Sequence, residues 1–333
     1  MSNSKQAKKF VKNIFIYLFL SIILYVSIYN TTVKIKSWGV HSFKNYLLES
    51  TKELPRIIID SGSNSHHGIN SRLIEEEFHR ITINLADNGG YPLRNKLLRI
   101  ANNSVENDIV ILPLEYMHYS YQSIPKVFYD EIFGALDYYY YNLDFIEKLK
   151  FISKTPFSSL LNSFSKENKY TDNSDIFSSK FESNLRGDYE FISKTPLDAG
   201  TKNSSCEVYT LMTPIINHFV ISDTFKDNLK LIKKIEENKK IKIIITYPSV
   251  TGNNCYEGVY KNDFKTFIKN IKSLLKENDI ALIGEVEDSN FKIKYMNNTY
   301  YHLLPSGRDI RTKRLIKRIK ESKYNYLFQS TYH

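Results

Sequence analysis

The sequence predicts an α/β protein: a three-layer sandwich around a central parallel sheet, preceded by one transmembrane helix. Two observations predict the sandwich. From about residue 54, short β-branched runs alternate with helix-like segments, and the runs are apolar enough to be covered on both faces. A third observation, a charge-free stretch of nearly membrane-spanning length near the N-terminus, predicts the anchor.

The bulk properties set the limits. With 333 residues, 42% hydrophobic and 25% charged, the chain has material for a sizeable core in one or two domains. Its 25 Tyr and 20 Phe argue against disorder. The net charge of +10 comes mostly from lysine and fits either general solubility or attraction to anionic phospholipid or acidic glycan. No zinc finger, RNA-binding signature or arginine-aromatic patch is present, so nucleic acid is not an expected partner. Cys206 and Cys255 lack metal-type spacing, which argues against a zinc site; they form one disulfide outside the cytoplasm or two buried thiols inside it.

Residues 1–13 carry Lys5, Lys8, Lys9 and Lys12 and no acid, and Ile14 to Tyr29 carry no charge. Phe10, Val11 and a snorkelling Lys12 extend that run toward the length of a span. The following residues, Ser27 to Asn30, lack a small-x-small cleavage pattern, so the expectation is an uncleaved anchor over 14–30 rather than a signal peptide. The lysines place residues 1–13 in the cytoplasm and the rest outside the cell membrane, in the periplasm or beyond. Residues 31–53 are then a juxtamembrane linker, and 54–333 form the main domain.

Strand signals run over Arg56–Asp60, Ile81–Leu85, Asp108–Leu112, Ile241–Tyr247 and Ile280–Gly284. Helix signals run over Ile69–His79, Leu93–Asn102, Asn262–Glu277 and Gly307–Glu321. Residues from Pro113 to about Glu207 break the rhythm with a tyrosine run, Tyr138–Tyr141, a Ser/Asn/Lys-rich segment, and a repeated FISKTP at Phe151–Pro156 and Phe191–Pro196. We read them as an insertion that caps or borders the active-site face. The tyrosines there either stack on sugar rings or pack the cap.

The chemistry gathers in three places. Gly62-Ser63-Asn64 follows the first strand, where a serine on the turn into a helix exposes its hydroxyl above the sheet, and Gly62 permits a tight turn. Asn84 to Gly90 follows the second strand, and its paired glycines suit a backbone N–H that approaches an oxyanion closely. His302 precedes the last helix, placed to reach across to Ser63 as general base; His66 and His67 are rivals for that role and are otherwise pocket lining.

These three blocks in order resemble the SGNH hydrolase superfamily. Gly62-Ser63-Asn64 is similar to the GGSN-like form of the first block, and Gly89 or Gly90 fits the second, with the spacing from Asn84 favouring Gly89. Tyr301-His302-Leu303, then Gly307 and Arg311-Thr312, resembles the YHL…G…RT pattern of membrane-anchored members that act on cell-surface polymers, including those of alginate O-acetylation and teichoic-acid D-alanylation. The resemblance covers roughly residues 54–125 and 240–325. It implies Ser63 as nucleophile, His302 as base, and the Ser63 and Gly89 N–H groups as oxyanion donors.

Two departures stand out. The third block normally supplies Gly-x-Asn, but Leu112-Pro113-Leu114-Glu115 stands there. Glu115, with Asn64, is then expected to bind substrate. The aspartate ahead of the histidine is replaced by Asn298 and Thr299, leaving Asn298 to orient the imidazole or an acid elsewhere, such as Asp288, to substitute.

The expected function is O-acyl transfer or ester hydrolysis, acetyl foremost, on a surface polysaccharide. It needs no metal or soluble cofactor. A transferase would need a membrane-embedded acyl-donor partner. The alternative is a non-catalytic assembly or polymer-binding protein with the same fold, and a lipid-directed esterase is a third reading. The basic final helix either is solvated or meets lipid head groups or an anionic polymer.

Overall fold

The computed structural model describes residues 2–36, 40–120, 128, 137–165, 184–190, 219–251, 261–297, 299 and 301–329. Five parallel strands form the central sheet: β1 (Ile57–Ile59), β2 (Thr82–Asn84), β3 (Ile109–Pro113), β4 (Lys242–Thr246) and, after a short β5 (Val250–Thr251), β6 (Ala281–Leu282). Their order is β2-β1-β3-β4-β6. The register pairs Ile59 with Asn84 on one side and with Ile111 on the other, and Ile111 with Ile244. β7 (Asn290–Phe291) pairs with β5 in a separate two-stranded parallel sheet.

Alternation of side chains along each strand divides the core into two layers. Ile58, Val110, Ile243 and Ile245 face one side, where they meet the helices Val40–Ser50, Leu93–Asn103, Asp223–Lys239 and Lys261–Glu277. Ile57, Ile59, Ile109, Ile111 and Ile244 face the other, against Ser71–Phe78 and Pro305–Glu321. The predicted architecture of a parallel sheet covered by helices on both faces is present, and the predicted strands and helices fall within a few residues of their expected ends.

Three stretches differ from expectation. The N-terminal helix runs from Ser2 to Lys36, well past residue 30, and within it Lys5–Val33 is long and apolar enough to cross a membrane. Residues 40–50, expected within a linker, form a helix that buries Phe43, Leu47 and Leu48 in the core, because their spacing makes one apolar stripe. The helix Asp223–Lys239 lacks a counterpart in the sequence reading, although Ser222 is a legible N-cap whose hydroxyl accepts from Phe225 N–H at 3.2 Å.

The described parts of the insertion include the helices Asp137–Tyr141, Phe145–Lys154 and Phe157–Ser165, and residues 184–190. Tyr139 and Tyr140 are buried, so packing rather than sugar stacking explains them. Cys206, Cys255 and the second FISKTP lie outside the described residues.

Candidate active site

The first loop starts where β1 ends. Within residues 56–65 every residue is buried except Ser63, which begins the one-and-a-half-turn helix Ser63–Gly68. Its hydroxyl makes no hydrogen bond to any described residue. The turn is tight against its neighbours: a Cβ on Gly62 would overlap both Glu115 Oε1 and Gly89 Cα. Glycine is therefore required here by close approach, and the same contact brings the second loop against the first.

Glu115, just past β3, closes on this turn. Its carboxylate accepts the N–H of Gly62 at 2.9 Å and that of Asn64 at 3.2 Å, one on each side of Ser63. His118 Nδ1 lies 3.3 Å from the same carboxylate. Burial pushes the Glu115 carboxyl up, but His118, by hydrogen bond and charge, together with the Asn64 side chain outweighs it and holds the group down at about 2. The intervening Ser63 N–H has no acceptor among the described residues, and neither has the Gly89 N–H. Both expected oxyanion donors are uncommitted.

Beneath the two loops lies a buried ion cluster. Arg99 pairs with Asp60 at 2.5 Å and approaches Asp87 at 3.6 Å. Lys96 pairs with Asp87 and donates to the Ser61 carbonyl at 2.8 Å, and the Tyr139 hydroxyl donates to Asp87 at 2.6 Å. Two cations and two carboxylates balance in charge, which makes their burial tolerable, and they fasten the Asp87–Gly89 loop to the Ser63 loop. Lys44, also buried, donates to the carbonyls of Asn84, Ala86 and Gly187. Desolvation brings its ammonium down to about 7.

The C-terminal block arrives from the far end of the chain. Arg311 is buried on the final helix and donates to Asn64 O at 3.0 Å, Asn64 Oδ1 at 2.9 Å and Tyr247 O at 3.1 Å. The neighbouring Thr312 hydroxyl accepts Asn70 N–H at 3.0 Å. Ser249 Oγ donates to Tyr301 O at 2.8 Å and lies 3.4 Å from Asn64 O, so one hydroxyl bridges the residues next to His302 and Ser63. The Thr299 hydroxyl accepts the N–H groups of Tyr301 and His302 and shapes the histidine loop.

The His302 ring stacks face to face on His67, with centroids 3.8 Å apart and planes 4° from parallel. His67 stacks in turn on Tyr189 at 3.9 Å. Burial lowers the His302 imidazole to about 4, with Glu115 opposing, and burial followed by the neighbouring His302 lowers His67 to about 2. Both rings are neutral near pH 7, the state a general base requires. Tyr189 belongs to the insertion, which therefore lines the site. Nearby, Asp188 accepts from the Ser71 hydroxyl at 2.7 Å and from Asn84 Nδ2 at 2.9 Å.

The expected site residues thus separate into groups. Ser63, Gly89 and His302 sit at one end of the sheet, above the strand ends where the strand order reverses, the usual ligand crevice of such sheets. Asn64 and Glu115 are fully enclosed with their polar atoms engaged by protein, so they shape the loop and are not placed to bind substrate, contrary to expectation. Asp288 is not a substitute acid for His302, because its carboxylate is held by Arg318 at 2.7 and 3.1 Å and by Glu285 N–H. Asn298 lies outside the described residues. Arg311 is a clamp rather than part of a solvated face, and Tyr189 and Lys44 are additions for which a single sequence carries no signal.

No protein-family model matches the chain, and a search of the curated proteins finds no match.

Proposed function

We propose that the protein is a membrane-anchored serine enzyme of SGNH type that transfers or hydrolyses acyl esters, acetyl foremost, on a surface polysaccharide. The observation that carries this reading is the pair of uncommitted N–H groups, Ser63 and Gly89, beside the one accessible residue of an otherwise buried loop. A carboxylate that takes the N–H on either side of Ser63 and leaves its own N–H open fits an oxyanion hole. In this reading Ser63 Oγ attacks the acyl carbon and His302 takes its proton. The Ser63 and Gly89 N–H groups hold the oxyanion, and protonated His302 returns the proton to the departing alcohol. Water or a glycan hydroxyl, deprotonated by His302, then releases the acyl group from Ser63. With the domain on the outer side of the membrane, transfer also needs a membrane partner to deliver the acyl group.

The test is intact-mass detection of fluorophosphonate labelling on the full-length chain in detergent, alongside Ser63→Ala and His302→Ala. One adduct per wild-type chain, lost in both variants, is expected. One specific observation favours the rival, a polymer-binding protein: the Ser63 hydroxyl has no hydrogen bond to His302. Catalytic hydrogen bonds often form only with substrate bound. A folded wild type that takes no label would overturn the serine-enzyme reading and leave the rival, which expects glycan affinity to survive Ser63→Ala.

A further inference from the structure

The N-terminal helix carries exposed large apolar side chains from Phe10 to Ile28, about 19 residues or roughly 28 Å at the helical rise. From Tyr25 onward the domain covers one face of it: Tyr25 and Val26 are half-buried, Tyr29 and Val33 are fully buried, and Ile28 stays exposed. A bilayer core is about 30 Å thick. The lipid-facing part of the helix is therefore close to that thickness, and the face that the domain covers from Tyr25 to Val33 lies at its outer end.

The domain offers a matching surface at that level. Outside the N-terminal helix, eleven large apolar side chains are exposed among the described residues, and six of them lie on the helices between 137 and 165. These are Tyr141, Phe145, Ile146, Leu149, Phe157 and Leu161, with Phe145 71%, Phe157 58% and Leu161 53% exposed. The patch is continuous with the anchor. The Phe157 and Tyr25 rings are 6.2 Å apart, the Tyr29 hydroxyl meets Thr155 Oγ1 at 2.9 Å, and the Tyr140 hydroxyl donates to Asn30 at 2.5 Å. Lys150 and Lys154 are exposed on the same helix as Phe145 and suit anionic head groups.

We propose that the helices Phe145–Lys154 and Phe157–Ser165 form a lipid-docking platform that seats in the bilayer interface around the emerging anchor. Apolar area in the interface and lysines at the head groups supply the attraction. The platform adjoins the site, since Tyr139, on the helix between Asp137 and Tyr141, donates to Asp87 in the Gly89 loop. The candidate site would thereby be held at a set height above the lipid. This proposal rests on the anchor reading but not on the chemistry assigned to Ser63.

The experiment uses the full-length chain in vesicles of phosphatidylcholine and phosphatidylglycerol, with and without dibrominated acyl chains. Trp38, the one tryptophan, is replaced by Phe, and single probes are placed as Phe157→Trp, Leu161→Trp, Phe19→Trp and Tyr326→Trp. Tyr326 is exposed near Pro55 and Lys240, at the opposite end of the sheet. Bromolipid is expected to remove most emission from the Phe19, Phe157 and Leu161 probes and to spare the Tyr326 probe. Quenching at Phe19 with none at Phe157 or Leu161 overturns the platform while keeping the anchor, and leaves the patch to a protein partner. No quenching at Phe19 removes the anchor and the platform together.

Discussion

Glu115→Gln separates a positioning carboxylate from a substrate ligand. In the wild type the Gly62 and Asn64 N–H groups each meet one carboxylate oxygen. Glutamine keeps the volume but turns one acceptor into an NH₂ that faces an N–H donor. The carboxyl stands at about 2 against an ordinary 4.5, a difference of about 2.5 units, or about 3 kcal/mol in favour of the charged form at neutral pH. Because the folded value is depressed, that stabilisation is complete above pH 4.5 and is lost as pH falls through about 2. Urea denaturation of both proteins in detergent should show a gap of about 3 kcal/mol at pH 7 that narrows as pH drops below 4.5, since protonated Glu115 resembles glutamine. Displacing the Ser63 N–H should also slow fluorophosphonate labelling by about 100-fold. A gap below about 0.5 kcal/mol, or one independent of pH, would refute the reasoning.

Other perturbations test the remaining contacts. Gly62→Ala forces a Cβ onto Glu115 and Gly89 and should destabilise the chain by about 1–3 kcal/mol or more and abolish labelling; a folded, fully labelled variant would contradict the close approach. Arg311→Lys keeps a charge but loses the fork that joins Asn64 to Tyr247, so a loss of about 2–4 kcal/mol is expected in the same denaturation assay. Labelling driven by neutral His302 should stay level as pH falls through 6.5 and halve near 4; a midpoint at 6.5 would mean an exposed imidazole or a different base. The same depressed value means that the unfolded chain takes up this proton first, so His302 erodes stability as pH falls from 6.5 toward 4.

The candidate site is built mainly from fixed parts. Lys44, Lys96, Arg99 and Arg311 are all buried, and each donates to a backbone carbonyl of a loop or strand end at the site. Such bonds hold main chain in place without consuming the serine hydroxyl or the two open N–H groups. Arg311 shows the cost: desolvation lowers its guanidinium to about 9, with the negative charge of Glu115 opposing that fall. The two buried charges of opposite sign stabilise each other across the Ser63 loop.

Local order was legible in the sequence. Short continuous apolar runs and helix-like apolar patterns depend on neighbours a few residues apart, so the five strands, four of the helices and the long apolar N-terminal helix were legible in the sequence. The positions of Gly62, Ser63, Gly89 and His302 in loops were legible for a related reason, since each follows or precedes an element whose end the pattern marks. Tertiary structure alone decided what Glu115, Arg311, Tyr189 and Lys44 do. Their partners stand from about 40 to about 250 positions away in the chain, and no periodicity records a contact over such distances. The helix at 40–50 was misread as linker because its polar residues dilute a three-residue apolar stripe. Only the sheet beneath it made that stripe a buried face.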